Sequence, residues 1–265
     1  MTALVRSELL KFFSTRLWWG ILIPVLLAGG LFAWLTAALV AGQQLGPGVT
    51  MPDLDNPQMV STVYSGGLNV STSLLLAIGV LMIGAEYRHK TITGTFLATP
   101  QRARVMGAKV TSLLLLGALY GVVQVASSFG VGAAIISSRG FDVLPEGALR
   151  TLALSLLVLG LWALIGLGIG ILIPNQVAAL FVALGVAFIV EPVLAALFAT
   201  QSWAEGIVPY FPGRATSAVV NAVSEQGMGG GSHLLSWWAG ALVLLAYAVV
   251  MAGLGTWRTL RADIS

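Results

Sequence analysis

From Val105 to Ser138 the chain runs with a single charged residue, Lys109. As one helix this stretch would be about 50 Å long, well beyond the ~30 Å hydrocarbon core of a bilayer. No soluble fold has a use for such a run. Five more apolar stretches accompany it, so the chain is read as a polytopic membrane protein. Only 9% of its residues are charged and 57% are hydrophobic, against about 25% charged in soluble domains. The surplus of apolar residues is too large for one water-soluble core.

The expected fold class is an all-α membrane protein, a single transmembrane domain over 1–265 with six spans. These fall at about 17–41, 66–85, 105–138, 151–173, 176–199 and 234–257. Met1 to Arg16 mixes Leu4, Leu9, Phe12 and Phe13 with Arg6, Glu8, Lys11 and Arg16 at helical spacing, which suits an interfacial helix on the membrane surface. The first apolar run is longer than the ~7–15 residues of a signal peptide's core. Gly42 to Tyr64, rich in Gly, Pro and Asp, is expected to be an irregular external connection. Span 3 either tilts or projects its first turns from near Arg104, and Lys109 is expected to stay at water or headgroups. Pro174-Asn175 joins spans 4 and 5 as a tight hairpin. The segment 200–233 is a long external loop, of which Gly213 to Val223 forms a short helix at the interface or dipping back in.

Charge sets the orientation. Of thirteen Lys and Arg, ten lie in the N-terminal segment, the Glu86–Lys109 region and the C-terminal tail. The other side holds Arg139, Arg150 and Arg214 together with Asp53, Asp55, Asp142, Glu146, Glu205 and Glu225. The positive-inside rule then places both termini and the 86–104 loop in the cytoplasm, in the inner or plasma membrane of the cell. Trp18, Trp19, Trp203, Trp237, Trp238 and Trp257 fall near span ends, where aromatic belts sit. The basic residues flank spans and form no continuous soluble face, so nucleic-acid binding is not expected.

Several chemistries find no residues. There is no cysteine, hence no disulfide, thiol nucleophile or thiolate metal site. No G-x-x-x-x-G-K-[ST], H-E-x-x-H or G-x-S-x-G sequence is present. The glycine-rich Gly227–Ser232 run has no lysine and reads as a flexible connector. His89 and His233 fall on opposite sides. No catalytic residue or metal ligand is expected, and energised work would draw on a partner subunit or an ion gradient.

The polar interruption from Glu86 to Lys109 carries the densest information. It reads Glu86-Tyr87-Arg88-His89-Lys90-Thr91-Ile92, then Thr95-Phe96-Leu97, Pro100, Arg102, Arg104 and Lys109. In type, order and place this resembles the ABC-2 type permease family, the membrane subunits of bacterial ABC transporters with a separately encoded ATPase. The resemblance implies an exporter without cofactors of its own, ATP and Mg being held by two partner ATPase subunits. It also implies pairing with a second permease copy or homologue. Drugs, peptide antibiotics or lipids are the substrate classes it suggests. Thr91 to Leu97 would form a cytoplasmic coupling helix with Phe96 and Leu97 as apolar knobs. Arg88, Lys90, Arg102 and Arg104 would pair with acids on the partner or with anionic lipid headgroups. Glu86 would tie the end of span 2 to the loop or to the ATPase. The plain alternative is a positive loop that only sets topology.

Glu191-Pro192 stands inside span 5, where a carboxylate costs at least ~2.5–3.5 kcal/mol unless paired or neutral. Pro192 frees a backbone carbonyl near Phe188. By the same resemblance the pair shapes the substrate pathway; otherwise it is a packing residue beside a kink. Gln124 and Arg150 are candidate partners for Glu191. A secondary transporter or channel using Glu191 as its proton site, or a non-transporting membrane anchor for a cytoplasmic partner, are the competing readings. Gly117 with Gly121, and Gly166 with Gly170, are expected to let helices approach closely.

Overall fold

The structure is a computed structural model that describes residues 1–46, 49–91, 94, 101–199, 201, 206–220 and 235–261. Six of its helical stretches are long and apolar enough to cross a membrane. In chain order the elements are α1 (Thr2–Phe13), α2 (Leu17–Leu35, continued by a wide π turn, Thr36–Val40), α3 (Pro57–Tyr64), α4 (Leu68–Arg88), α5 (Arg102–Ser138), α6 (Ala148–Leu172), α7 (Gln176–Gly185), a second π turn (Val186–Val190), α8 (Glu191–Ala199), α9 (Pro212–Val219) and α10 (Trp237–Arg261). A minimal antiparallel ribbon, β1 (Gln44–Gly46) and β2 (Val49–Thr50), is the non-helical exception among the described residues.

The bundle is built around α6. Its most apolar window is 67% buried, against 11% for the α7–α8 span. Helices α4, α5 and α10 all pack against it. Glycine makes these crossings close. Gly166 meets the Leu76 carbonyl, Gly79 meets the Ala163 carbonyl, and Gly117 lies on the Gly160 backbone. Gly121 and Gly170 complete the sequence pairs against Leu156 and against Val80 and Ile83. In lipid, where burial of apolar surface gives helices little reason to associate, such close packing is the main attraction between them.

The connection before span 2 is more ordered than its prolines suggest. Asn56 Oδ1 accepts from the Gln58 N–H, and Pro57 supplies the first helical residue of α3, an ordinary helix start. Met59, Val60, Val63 and Tyr64 are then fully buried against Ala33, Ala37, Ile136 and Ala148. The Tyr64 hydroxyl donates to the Val143 carbonyl. The irregular loop expected over 42–64 is therefore in good part a folded cap on one end of the bundle.

At the opposite end, Asn175 Oδ1 accepts from the N–H groups of Val177 and Ala178, so α7 starts directly after α6. Gly84 of α4 packs on Gln176, and Gly255 of α10 packs on Ile171. Helix α1 meets α4 and α5 at this same end. Both terminal helices thus reach the end of the bundle where α4 ends and α5 begins.

Of the 200–233 segment, the described part that includes α9 packs against α6. Trp162 Nε1 donates to Thr216 Oγ1 at 2.9 Å, and Thr151 Oγ1 donates to the Val220 carbonyl at 2.9 Å. Trp162 lies about 20 Å along α6 from Ala148. Helix α9 therefore descends into the bundle between α6 and α10, its C-terminal end near the rim and its N-terminal end at mid-depth.

Candidate functional site

Two carboxylates and two ammonium groups meet where α1, α4 and α5 converge. Glu8 and Phe12 stand one turn apart on α1, and both are buried. Phe12 packs edge-on against Tyr120 of α5, with ring centres 6.2 Å apart. That contact turns Glu8 toward α5, where Lys109 lies 1% exposed. Lys109 Nζ donates to Glu8 Oε2 at 2.8 Å and to Glu86 Oε1 at 2.7 Å. Lys11 Nζ donates to Glu8 Oε1 at 2.7 Å and to the same Glu86 Oε1 at 2.8 Å. The four charges alternate and sum to zero. Glu86 Oε2 is buried and accepts no hydrogen bond.

This arrangement corrects the expectation for Lys109. It does not stay at water or headgroups; it is buried between two carboxylates. A lone buried ammonium is prohibitively costly, whereas one with two carboxylates at hydrogen-bond distance is tolerated. Glu86 likewise turns back to α1 and α5. Glu8, expected only as one charge of the interfacial helix, is the residue that completes the set. Its signal was present, since it shares a helix face with Phe12 while Arg6 and Lys11 do not.

Burial pushes the Glu8 carboxyl up, but the ammonium of Lys109, then that of Lys11, more than reverse this and hold it below the usual carboxylate range. Burial pushes Lys11 down, and its bonds to Glu8 and Glu86 more than reverse that, leaving it above the usual lysine value.

The remaining loop residues are not gathered. Arg88 ends α4, His89 caps it through a backbone bond to the Ala85 carbonyl, and Lys90 adopts φ +54°. Arg88, His89, Lys90, Thr91 and Arg104 are exposed. Tyr87 packs partly buried against the main core, and Arg102 opens α5. The coupling helix expected over Thr91–Leu97 falls mostly, with Thr95, Phe96, Leu97 and Pro100, outside the described residues.

The second candidate group sits on the α7–α8 span. A π turn occupies Val186–Val190, directly before Glu191 and Pro192, as expected where proline deprives the preceding turn of a donor. Glu191 Oε1 accepts from the Gly213 N–H at the mouth of α9. The backbone N–H and the charge of Arg214 act on the same carboxylate. Glu191 thus satisfies the first turn of the re-entrant helix, where unpaired N–H groups and the positive end of the helix dipole meet.

Neither expected partner reaches Glu191. Gln124 is fully buried between α4 and the turn before it, accepting from Ser71 Oγ at 2.7 Å and donating to the Gly66 carbonyl at 2.6 Å. Arg150 stacks over Trp237, 5.5 Å from the ring centre. Among the described residues no cluster of His, Asp or Glu is arranged to hold a metal ion.

No protein-family model matches this chain, and no curated protein is significantly similar to it.

Proposed function

We propose that this chain is the membrane-spanning permease subunit of an ATP-driven ABC exporter. It pairs with a second permease copy or homologue and with two ATPase subunits, which hold ATP and Mg. Both termini and the 86–104 loop face the cytoplasm, and the substrate is an amphipathic drug, peptide antibiotic or lipid. The observation that carries this reading is the bridge from Glu86 to Lys109. These two residues stand at either end of the polar loop, and each also bonds to α1. A displacement of α4 at the loop would therefore be passed through these ion pairs to α5 and α1. A subunit driven from outside the membrane needs such a rigid input, because a flexible loop would absorb the displacement. ATPase closure would shift the loop, and the clamped helices would carry that shift to α6 and the rest of the bundle.

The test is co-purification with a candidate ATPase subunit, comparing wild type with a Phe96→Asp, Arg102→Glu double variant. Retention by wild type and loss by a folded variant supports the coupling role. No retention by either leaves the loop as a topology signal. The competing reading of Glu191 as a proton site is weakened by its bond to the α9 backbone, a role that a structural cap fills.

A further inference from the structure

Among the described residues at the end of the bundle that holds the four-charge cluster, the exposed charge is all of one sign. The two acids there with described side chains, Glu8 and Glu86, are 4% and 6% exposed and are matched by Lys109 and Lys11. Arg6, Arg16, Arg88, Lys90 and Arg104 are exposed and basic. A phosphate reaching this surface meets only cations. The ammonium of a zwitterionic headgroup meets no accessible carboxylate among these residues.

One of the cations stands on an apolar groove. Between α1 and α5 an open groove of about 370 Å³ is lined by Met1, Thr2, Val5, Arg6, Leu9 and Thr111. It is floored where the Met1 side chain lies on Gly107. Its volume is at the lower end of small-ligand sites, which fits part of one acyl chain and not a whole lipid. Further along α1, Leu10 and Phe13 are exposed, as on a helix lying in the bilayer interface. The groove therefore opens at the depth where headgroup and first methylenes meet. A second groove, between α2 and α5 around Val122 and Gly130, bears no charge and has no means of choosing among lipids.

We infer that the α1–α5 groove is a binding site for one anionic phospholipid. Its phosphate is held by Arg6, whose planar fork suits two phosphate oxygens, and the start of one acyl chain lies against Val5, Leu9 and Thr111. The occupant braces α1 onto α5 from the lipid side, as the Glu8–Lys109 pair does from inside. The site needs only a membrane around the protein and stands apart from the transporter reading.

The experiment is native mass spectrometry of the full chain in neutral detergent, titrated separately with phosphatidylglycerol and phosphatidylcholine. Wild type is expected to retain one phosphatidylglycerol in preference to phosphatidylcholine. Arg6→Gln should weaken that retention about five-fold, while Arg16→Gln, off the groove, should leave it nearly unchanged. Thr111→Trp, which fills the groove, should displace the lipid while α1 stays docked by circular dichroism and thermal melting. Equal retention of the two lipids, or equal losses from Arg6→Gln and Arg16→Gln, would overturn the site. So would displacement of the lipid by millimolar inorganic phosphate, which would mean that the groove contributes nothing.

Discussion

Lys109 Nζ lies 2.7 Å from Glu86 Oε1, although the loop that separates the two residues carries the exposed basic groups of this region. Removing the ammonium alone leaves Glu8 and Glu86 buried with only the half-exposed Lys11 between them. Lys109→Met is therefore expected to destabilise the protein by about 3–5 kcal/mol. Adding Glu86→Gln leaves the neutral Glu8–Lys11 pair and should restore most of that loss. Thermal unfolding in detergent reads both variants. Losses that simply add would show that the two groups are not coupled.

The same cluster fixes a pH response for the docking of α1. Glu8 is held below its ordinary value of 4.5. Its contribution is present above that value and is lost as pH falls through the lower, folded-state value. Lys11 is held above its ordinary value of 10.5, so its contribution persists below 10.5 and is lost only as pH rises through the higher one. The contribution of Glu8 and Lys11 is thus expected to be flat from about pH 5 to 10 and to fall on the acid side. Glu8→Gln should flatten the acid limb in a melting-temperature series. An unchanged acid limb would assign it to other carboxylates.

The spans were legible because apolar runs of this length have one solution in lipid, and the glycine pairs because close crossings need small residues. Lys109 was not, since its burial is decided by Glu8 and Glu86, residues distant in sequence that only the fold brings to it. The cap on the bundle was half legible. Asn56-Pro57 and the spacing of Met59, Val60, Val63 and Tyr64 are helix signals that the surrounding Gly and Pro obscured. The partner of Glu191 could not be read at all, because it is a backbone N–H and every residue but proline has one.

Gly166 tests the packing directly. A methyl group there would run into the Leu76 carbonyl, backbone that cannot step aside. Gly166→Ala should cost about 1–3 kcal/mol. Gly185, with nothing within 4 Å of an added Cβ, should accept alanine with no loss, or a gain of about 0.5–1 kcal/mol from better helix propensity. Equal effects at the two positions, measured by thermal stability in one detergent, would contradict the close α4–α6 crossing.

Glu191 and Gly213 give the sharpest test of the re-entrant helix. The Glu191 carboxylate accepts from the Gly213 N–H, and a Cβ on Gly213 would sit 2.6 Å from Glu191 Oε1. Glu191→Gln keeps an acceptor oxygen and should leave α9 in place. Glu191→Leu removes it and leaves unsatisfied N–H groups at mid-depth, a cost of about 1–3 kcal/mol. Gly213→Ala crowds only the end of the flexible Glu191 side chain, which can swing aside, and should have a smaller effect. The chain has no cysteine, so a single Ser217→Cys reporter can be labelled with a membrane-impermeant maleimide without background. Labelling should be slow in the parent and in Glu191→Gln, and several-fold faster in Glu191→Leu, with Gly213→Ala in between. If Glu191→Gln labels as fast as Glu191→Leu, the negative charge itself holds the helix. A proton arriving at Glu191 would then release α9, and the gradient-driven reading would regain its footing.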